Sequence, residues 1–282
     1  MPGTLFVVAT PIGNLEDISA RALRILGEVA VIAAEDTRRT GHLLTRYAIR
    51  TPTVSLHEHN EGDKATGLIA RLMAGESVAL VSDAGTPTVS DPGQHLVRLA
   101  LDAGARVEAI PGPSAPNTLL SISGLPGDTF AFLGFPPIKS EDRKSWFQQL
   151  GSEPRTCLFF ESPHRLLATL DAIRLYFGDC HIIVGRELTK LHEQVFRGRV
   201  SDAIAEFSRP VGEFVLAINL SNDQNRRGSV ELTDDQIADA YAASLAHPST
   251  SKRKAAQEVA RKLGLSPNRV YQVIERRKGS VE

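Results

Sequence analysis

Five short apolar runs, each ending in a turn rich in polar, glycine or proline residues, constrain this chain more than any other feature. LFVVA (5–9) runs into TPIGN (10–14), VAVIA (29–33) into EDTR (35–38), and VSL (54–56) into HEHN (57–60). VALV (78–81) runs into SDAGTP (82–87), and VEAI (107–110) into PGPSA (111–115). Helical patterns separate the runs at 15–26, 38–47, 62–74 and 92–103, with Gly75 and Gly104 where helix C-caps belong. Strands alternating with helices specify a parallel sheet. Ligands of open α/β sheets bind outside the carboxyl ends of the strands, so these five turns mark residues 1–118 as an active-site half.

Gly124, Pro126 and Gly127 place a domain boundary after residue 118. A second α/β domain is expected over 119–222, with strands at 130–133, 156–160, 181–185, 193–199 and 214–220 and helices at 142–150, 164–177 and 202–207. Residues 223–231 are polar and glycine-containing, the composition of a linker. With 282 residues and 42% hydrophobic content the chain has core enough for two or three domains. It has no apolar run of bilayer-spanning length and no secretory leader pattern, and its two cysteines, Cys157 and Cys180, fall in or beside apolar runs as free thiols would. A cytoplasmic protein without membrane association is expected. No CxxC or HExxH spacing points to a metal.

The net charge of −1 conceals an asymmetry. Residues 250–282 hold nine Lys/Arg against three acids, a net +6, leaving −7 on residues 1–249. A basic module on an acidic body is the footprint of a polyanion partner, whereas a charge run by itself is more often a solvated helix face. Residues 232–282 are expected to form a basic helical domain, with three helices over 234–278. Ile237, Tyr241 and Leu245 make one apolar stripe; Ala256, Val259, Ala260 and Leu263 make the next. Gly264 ends that helix, Ser266 and Pro267 start another, and Val270, Val273 and Ile274 face inward. This is helix-turn-helix spacing, with Asn268, Arg269, Gln272 and Arg276 on the outer face that reads nucleic acid in such folds; an ordinary three-helix bundle used for dimer packing has the same pattern, and the basic bias favours nucleic acid.

The small residues of the 82–87 turn let a ligand approach the backbone, and Asp83 accepts hydrogen bonds at the strand end. The SDPG turn (90–93) reads as a helix start suited to an anion, or as a plain turn capped by Asp91. Ser114 either bonds a ligand or caps its helix. Neither GxGxxG nor GxxxxGK[ST] occurs, which removes the usual dinucleotide and nucleotide fingerprints. Glu35, Asp36 and Arg38 crowd one strand end, where Glu35 and Arg38 also fit a capping box with an ion pair. ESPHR (161–165) and RELTK (186–190) repeat the pattern in the second domain. Arg38, Arg165, Arg186 and Lys190 would then surround a cleft between the domains, with the chemistry to hold a phosphodiester.

In this order, TPIGNL (10–15), AEDTR (34–38), DAGTP (83–87) with SDPG (90–93), PGPSA (111–115), FLGFPP (132–137), FESPHR (160–165), GRELTK (185–190) and GEFV (212–215) resemble the tetrapyrrole-methylase superfamily. More closely they resemble its ribosomal RNA branch, the small-subunit (16S) rRNA cytidine 2′-O-ribose methyltransferases. Tetrapyrrole-making members differ at the N-terminal loop and lack the AEDTR and ESPHR character and the C-terminal helices.

The resemblance implies two α/β domains of tetrapyrrole-methylase type with the active site in the cleft between them, plus a small C-terminal all-α, helix-turn-helix-like domain. It implies S-adenosylmethionine as cofactor, a homodimer, and methyl transfer to the ribose of a decoding-centre cytidine of the small ribosomal subunit. Carried over onto this sequence, the cofactor loops are Pro11; Asp83, Ala84, Gly85, Thr86 and Pro87, with Asp91; Ser114 and Ala115; Leu133, Gly134 and Phe135; Glu161 and Ser162; and Leu216, Ala217 and Ile218. The reaction needs a base for the hydroxyl proton. Glu187, Glu161, His164 and Lys190 are its candidates, with Arg165, Asp36 and Arg38 as orienting groups. Two other readings stand beside this one: a methyltransferase of small tetrapyrroles, and a ligand-sensing nucleic-acid-binding regulator.

Overall fold

The computed structural model describes every residue except 58, 59, 222–231, 247–250, 264 and 279–282, together with the side chain of Lys278. The expected linker at 223–231, the helix-ending Gly264 and part of the 57–60 turn lie outside the described residues. The chain divides into two compact units, Met1–Thr118 with Leu188–Leu191, and Leu119–Glu187 with His192–Glu282.

The first unit runs β1 (Thr4–Val8), α1 (Ala20–Glu28), β2 (Val31–Ala34), α2 (Thr37–Arg46), β3 (Thr53–Ser55), α3 (Glu61–Met73), β4 (Val78–Val81), α4 (Gln94–Asp102), β5 (Arg106–Ile110) and the start of α5 (Ala115–Ser123). All five strands pair in parallel in the order β3-β2-β4-β1-β5. Every residue of β2 and β4 is buried, as a sheet covered on both faces requires. Ala22, Ile25, Leu26, Leu43 and Leu44 of α1 and α2 cover one face; Ala65, Leu68, Leu72, Leu96 and Ala100 of α3 and α4 cover the other. The order reverses around β1 and β4, so the loops after these two strands are neighbours.

Two helix starts differ from expectation. Residues 15–17 make only a single 3-10 turn, and Ser19, accepting from the Ala22 N–H at 3.1 Å, caps α1. A serine able to cap competes with the continuing helix, and here the cap wins. Helix α4 starts at Gln94 because Gly93, at φ +115°, turns the backbone left-handed just before it.

The second unit runs β6 (Phe130–Phe132), α6 (Ser140–Ser152), β7 (Thr156–Glu161), α7 (Pro163–Phe177), β8 (His181–Arg186), β9 (Gln194–Arg199), α8 (Val200–Glu206) and β10 (Phe214–Ile218). Its sheet has the order β6-β7-β10-β8-β9, with β6 and β7 parallel and the remaining pairs antiparallel. Aromatic residues dominate this core: Phe147 stacks on Tyr176 at 4.8 Å, and Trp146 meets Phe159 edge-on at 5.1 Å.

Helices α9 (Asp234–Leu245), α10 (Lys252–Leu263) and α11 (Pro267–Lys278) form the expected bundle around Ile237, Tyr241, Val259, Leu263, Val270 and Val273. They belong to the second unit. Tyr176 Oη donates to the Leu263 carbonyl at 2.6 Å, Gln236 Nε2 to the Leu175 carbonyl at 3.1 Å, and Lys262 pairs with Asp171 at 3.1 Å. A cavity of about 480 Å³ lies along this seam, lined by Leu175, Ala243, Val259 and Leu263 among others and by no strand-end residue.

The outer face of α11 is not the bare basic surface expected. Arg269 and Arg276 pair with Asp234 at 2.8 and 3.8 Å, and Arg277 with Asp235 and Asp239 at 3.0 and 3.5 Å. Aspartates along the exposed side of α9 offset this charge, which spacing along α11 alone does not reveal. Among the described residues, no helix is long and apolar enough to cross a membrane.

Candidate active site

In the first unit the turns after β1, β2, β4 and β5 converge through their backbones. Thr10 and Gly85 exchange N–H to carbonyl bonds of 2.8 and 3.0 Å, and Thr10 Oγ1 donates to the Ser82 carbonyl. Thr86 Oγ1 donates to the Pro113 carbonyl at 3.3 Å, drawing in the turn that carries Ser114 and Ala115. Pro11 and Pro87 are buried within this arrangement, and Ala84, Ser114 and Ala115 are half-buried. Small side chains and interlocked carbonyls give these loops one conformation, a precondition for a site built largely from backbone.

Glu35, Asp83 and Asp91 share these strand ends. The Asp83 N–H donates to Glu35 Oε2 at 3.2 Å, and the Asp36 N–H donates to Asp83 Oδ1 at 3.0 Å. Arg39 lies 3.3 Å from Asp83. Burial raises the Glu35 carboxyl above its usual range, opposed by the Asp83 N–H. Burial also pushes Asp91 up to about 6, with Glu35 and Asp83 adding to the effect and a Ser82 hydrogen bond opposing it. Asp36 is different: it caps α2, and Arg38 holds its carboxyl well below the usual carboxylate range. Arg38 thus pairs with Asp36 at 2.7 Å, not with Glu35.

Because the folded Asp91 value lies above its ordinary 3.8, the folded chain holds that proton more tightly than the unfolded chain. Its contribution to stability is therefore lost as pH rises from about 4 through about 6. The difference in Tm between Asp91→Asn and the parent should move in the variant's favour between about pH 4 and pH 7. A difference independent of pH would refute this environment for Asp91.

Asp91 does not cap α4, whose first turn is instead served by Glu61: its Oε1 accepts from the Leu96 N–H at 3.0 Å. The chain's own carboxylate takes the place proposed for a bound anion, and no spacing rule links residue 61 to residue 96.

Leu188–Leu191 cluster with the first unit although β8 and β9, which flank them, belong to the second. The Asn14 N–H donates to Thr189 Oγ1 at 3.0 Å. A Cβ on Gly13 would lie 2.5 Å from Lys190 Cγ, 2.6 Å from Thr189 Oγ1 and 2.8 Å from the Leu188 carbonyl oxygen, so only glycine lets this segment approach the Thr10–Asn14 turn. Thr189 has φ +66° and Glu187 +51°, left-handed conformations that side-chain-bearing residues rarely adopt. Such strain persists where the surroundings over-determine it. The Glu187 carboxylate accepts from the Glu213 N–H at 2.8 Å, and Gly212, at φ +91°, leaves room where a Cβ would lie 2.7 Å from Glu187 Cγ.

In the second unit, Glu161 is not exposed to a substrate. Its side chain is 0% exposed and accepts from Thr169 Oγ1 at 2.5 Å and from the Ser162 N–H at 2.8 Å, with Arg165 Nε at 3.4 Å. Arg143, also buried, donates to Thr169 and to the Pro137 carbonyl. Arg165 donates to the carbonyls of Pro136 and Pro137. Two guanidinium groups around one carboxylate thus fix the loop that follows Leu133, Gly134 and Phe135. Trp146 adds an Nε1–H bond to the Leu133 carbonyl. Glu161 is a loop anchor, and Arg165 is turned toward backbone carbonyls where a phosphodiester contact was expected.

Arg186 is likewise engaged, by the Val211 carbonyl and Gln194. Leu216, Ala217 and Ile218 are all buried on central strand β10; Leu216 and Ile218 pack into the hydrophobic core, and Ala217 alternates to the other face of the sheet. Ser162 is the N-cap residue of α7, Pro163 follows at its first position, and His164 is exposed in the first turn. The sequence reading missed Arg143 and Thr169. Their signal is an arginine at the head of an apolar i, i+3, i+4, i+7 stripe, Arg143–Trp146–Phe147–Leu150, where a charge needs a buried partner.

Residues 4–204 match the family model of Tetrapyrrole (Corrin/Porphyrin) Methylases. Among solved structures, uroporphyrin-III C-methyltransferase from Thermus thermophilus is 20% identical with a TM-score of 0.57, over 78% of this chain and 96% of that one. Diphthine synthase is 17% identical with a TM-score of 0.60, over 77% and 90%. At these identities the likeness is one of fold. Curated relatives are much closer in sequence. "Ribosomal RNA small subunit methyltransferase I" of Synechocystis sp. is 43% identical over 96% of this chain and 97% of its own length. The protein of that name from Pseudomonas aeruginosa is 53% identical over 68% and 69%. With this agreement in fold and sequence, the chain belongs to the tetrapyrrole methylase family, in its ribosomal RNA small subunit methyltransferase I branch.

Proposed function

We propose that this chain transfers a methyl group from S-adenosylmethionine to the ribose 2′-oxygen of a decoding-centre cytidine in 16S rRNA, acting in the cytoplasm as a homodimer. The observation that carries the reading is 43% identity to a small-subunit rRNA methyltransferase across 96% of the chain. What supports the cofactor is the donor set of the first unit: the carboxyl groups of Glu35, Asp83 and Asp91 share the strand ends and are acceptors suited to an ammonium or to ribose hydroxyls.

Pro11, Asp83–Pro87, Asp91, Ser114 and Ala115 would hold the cofactor from the first unit; Leu133, Gly134, Phe135, Ser162 and Leu216–Ile218 would serve from the second. S-adenosylmethionine supplies an electrophilic methyl carbon, whose bond to sulfur breaks as the bond to the 2′-oxygen forms. The protein's part is to orient the ribose in line and to accept the hydroxyl proton, and positioning alone is worth roughly 7–11 kcal/mol. Glu187, Lys190 and His164 remain candidates for the base. Glu161 leaves that group because its two oxygens are already committed in the interior.

Labelled S-adenosylmethionine offered with small ribosomal subunits, or with a tetrapyrrole precursor, tests the reading. Label in the rRNA at a ribose 2′-oxygen is expected; label only in the tetrapyrrole, or in neither, overturns it. In the same assay Glu187→Gln and Lys190→Ala should lower turnover about 10²–10⁴-fold for loss of a base, with little change in cofactor affinity. Parental rates in both variants would remove them from the chemistry.

A further inference from the structure

We infer that the RNA-facing surface of the C-terminal helices is the exposed side of α10, formed by Lys252, Arg253 and Lys254 in its first turn and Arg261 in its last, and not the outer face of α11. The arginines of α11 are taken: Arg269, Arg276 and Arg277 each face an aspartate of α9 within 2.8–3.8 Å. Lys262, on the other side of α10, is paired with Asp171. Lys252, Arg253, Lys254 and Arg261 are exposed and form no ion pair among the described residues. The next acid along α10, Glu258, accepts a hydrogen bond from Ser244.

Position adds a second argument. A helix N-terminus carries a partial positive charge that favours acids and opposes bases. The first turn of α10 contains no acid, and three consecutive cations open it. Three charges set against the dipole stabilise nothing in the fold, and local rules of this kind are broken at functional positions. Together the dipole and the cations concentrate positive potential at one point, and an anion relieves both. Arg253, Gln257 and Arg261 follow at four-residue spacing with Lys254 beside them, a stripe about 12 Å long. It carries no aromatic or large apolar side chain, so its chemistry is that of backbone phosphates and not of base stacking. The inference rests on the rRNA reading above.

The test compares the full chain with Lys252→Gln/Arg253→Gln/Lys254→Gln and with Arg276→Gln/Arg277→Gln. Binding to protein-free 16S rRNA and to small subunits is measured across a salt series. Every phosphate that the protein no longer neutralises flattens the slope of log K against log salt by about 0.7–0.9. The α10 triple variant should flatten it by about 2–3, bind at least tenfold more weakly near physiological salt, and show an equal or higher Tm. The α11 pair should lower Tm and keep the slope. An unchanged slope in the triple variant, or weaker binding confined to the α11 pair, overturns the assignment. So does an effect on subunits with none on free rRNA, which would mark an acidic protein face as the partner. A parent that binds with the α10-dependent slope yet methylates no subunit would refute the substrate reading and leave the surface standing.

Discussion

Glu161→Ala is expected to lower the free energy of unfolding by about 3–5 kcal/mol, the cost of breaking a buried ion pair from one side. The carboxylate is fully buried and accepts from Thr169 and the Ser162 N–H, with Arg165 alongside. Removing it leaves the guanidinium groups of Arg143 and Arg165 without their shared counter-charge, and Arg143 Nε already has no hydrogen-bond partner. The same change frees the Pro136 and Pro137 carbonyls from their anchors, so cofactor affinity should fall together with stability. Urea unfolding measures the first effect and calorimetry with S-adenosylmethionine the second. A destabilisation below about 1 kcal/mol would mean that Glu161 is hydrated in solution and returns it to the candidate bases.

Gly13→Ala should cost about 1–3 kcal/mol, as overpacking does, and should depress turnover by more than that figure suggests. The added methyl would lie 2.8 Å from the Leu188 carbonyl oxygen, a backbone atom that cannot swing aside as the Lys190 side chain can. Leu188–Leu191 must then move off the Thr10–Asn14 turn, breaking the Asn14–Thr189 bond and displacing Lys190. A shift of about 1 Å in a positioned group can cost on the order of 10²-fold in rate. Steady-state methylation of subunits and proteolysis between 187 and 192 report the two consequences. Parental turnover with parental resistance to protease would show that the loop absorbs the methyl and that its fit to Gly13 is not needed.

The parallel sheet of the first unit was legible because its strands are local events. VALV and VIAA are too apolar to be covered on one face only, and each is followed by glycine, proline or acid residues that stop a strand. Hydrogen bonds across long stretches of sequence were not legible. Glu61 serving Leu96, Thr189 serving Asn14 and Thr169 serving Glu161 join residues whose spacing carries no rule. Glu161 and Arg165 looked reactive because ionisable residues after a strand often are; the structure shows their charge spent on a loop. The side chains of Leu216 and Ile218 face the core by alternation along a central strand, which a motif does not state. For α11 the sequence located the arginines, while their partners on α9 depended on how three helices pack.

The four residues Leu188–Leu191 give the chain an unusual order of completion. The first unit is continuous up to Thr118, yet the segment that seats against its N-terminal turn is encoded beyond β8. During synthesis at about 5–20 residues per second, that turn waits several seconds for its missing neighbour while the second unit emerges. A gene fragment ending at residue 118 would encode every strand of the first sheet and still lack the segment that packs on Gly13. The earliest loop to be made is therefore finished late, and the cofactor half gains its last segment only after the first three strands of its companion have been translated.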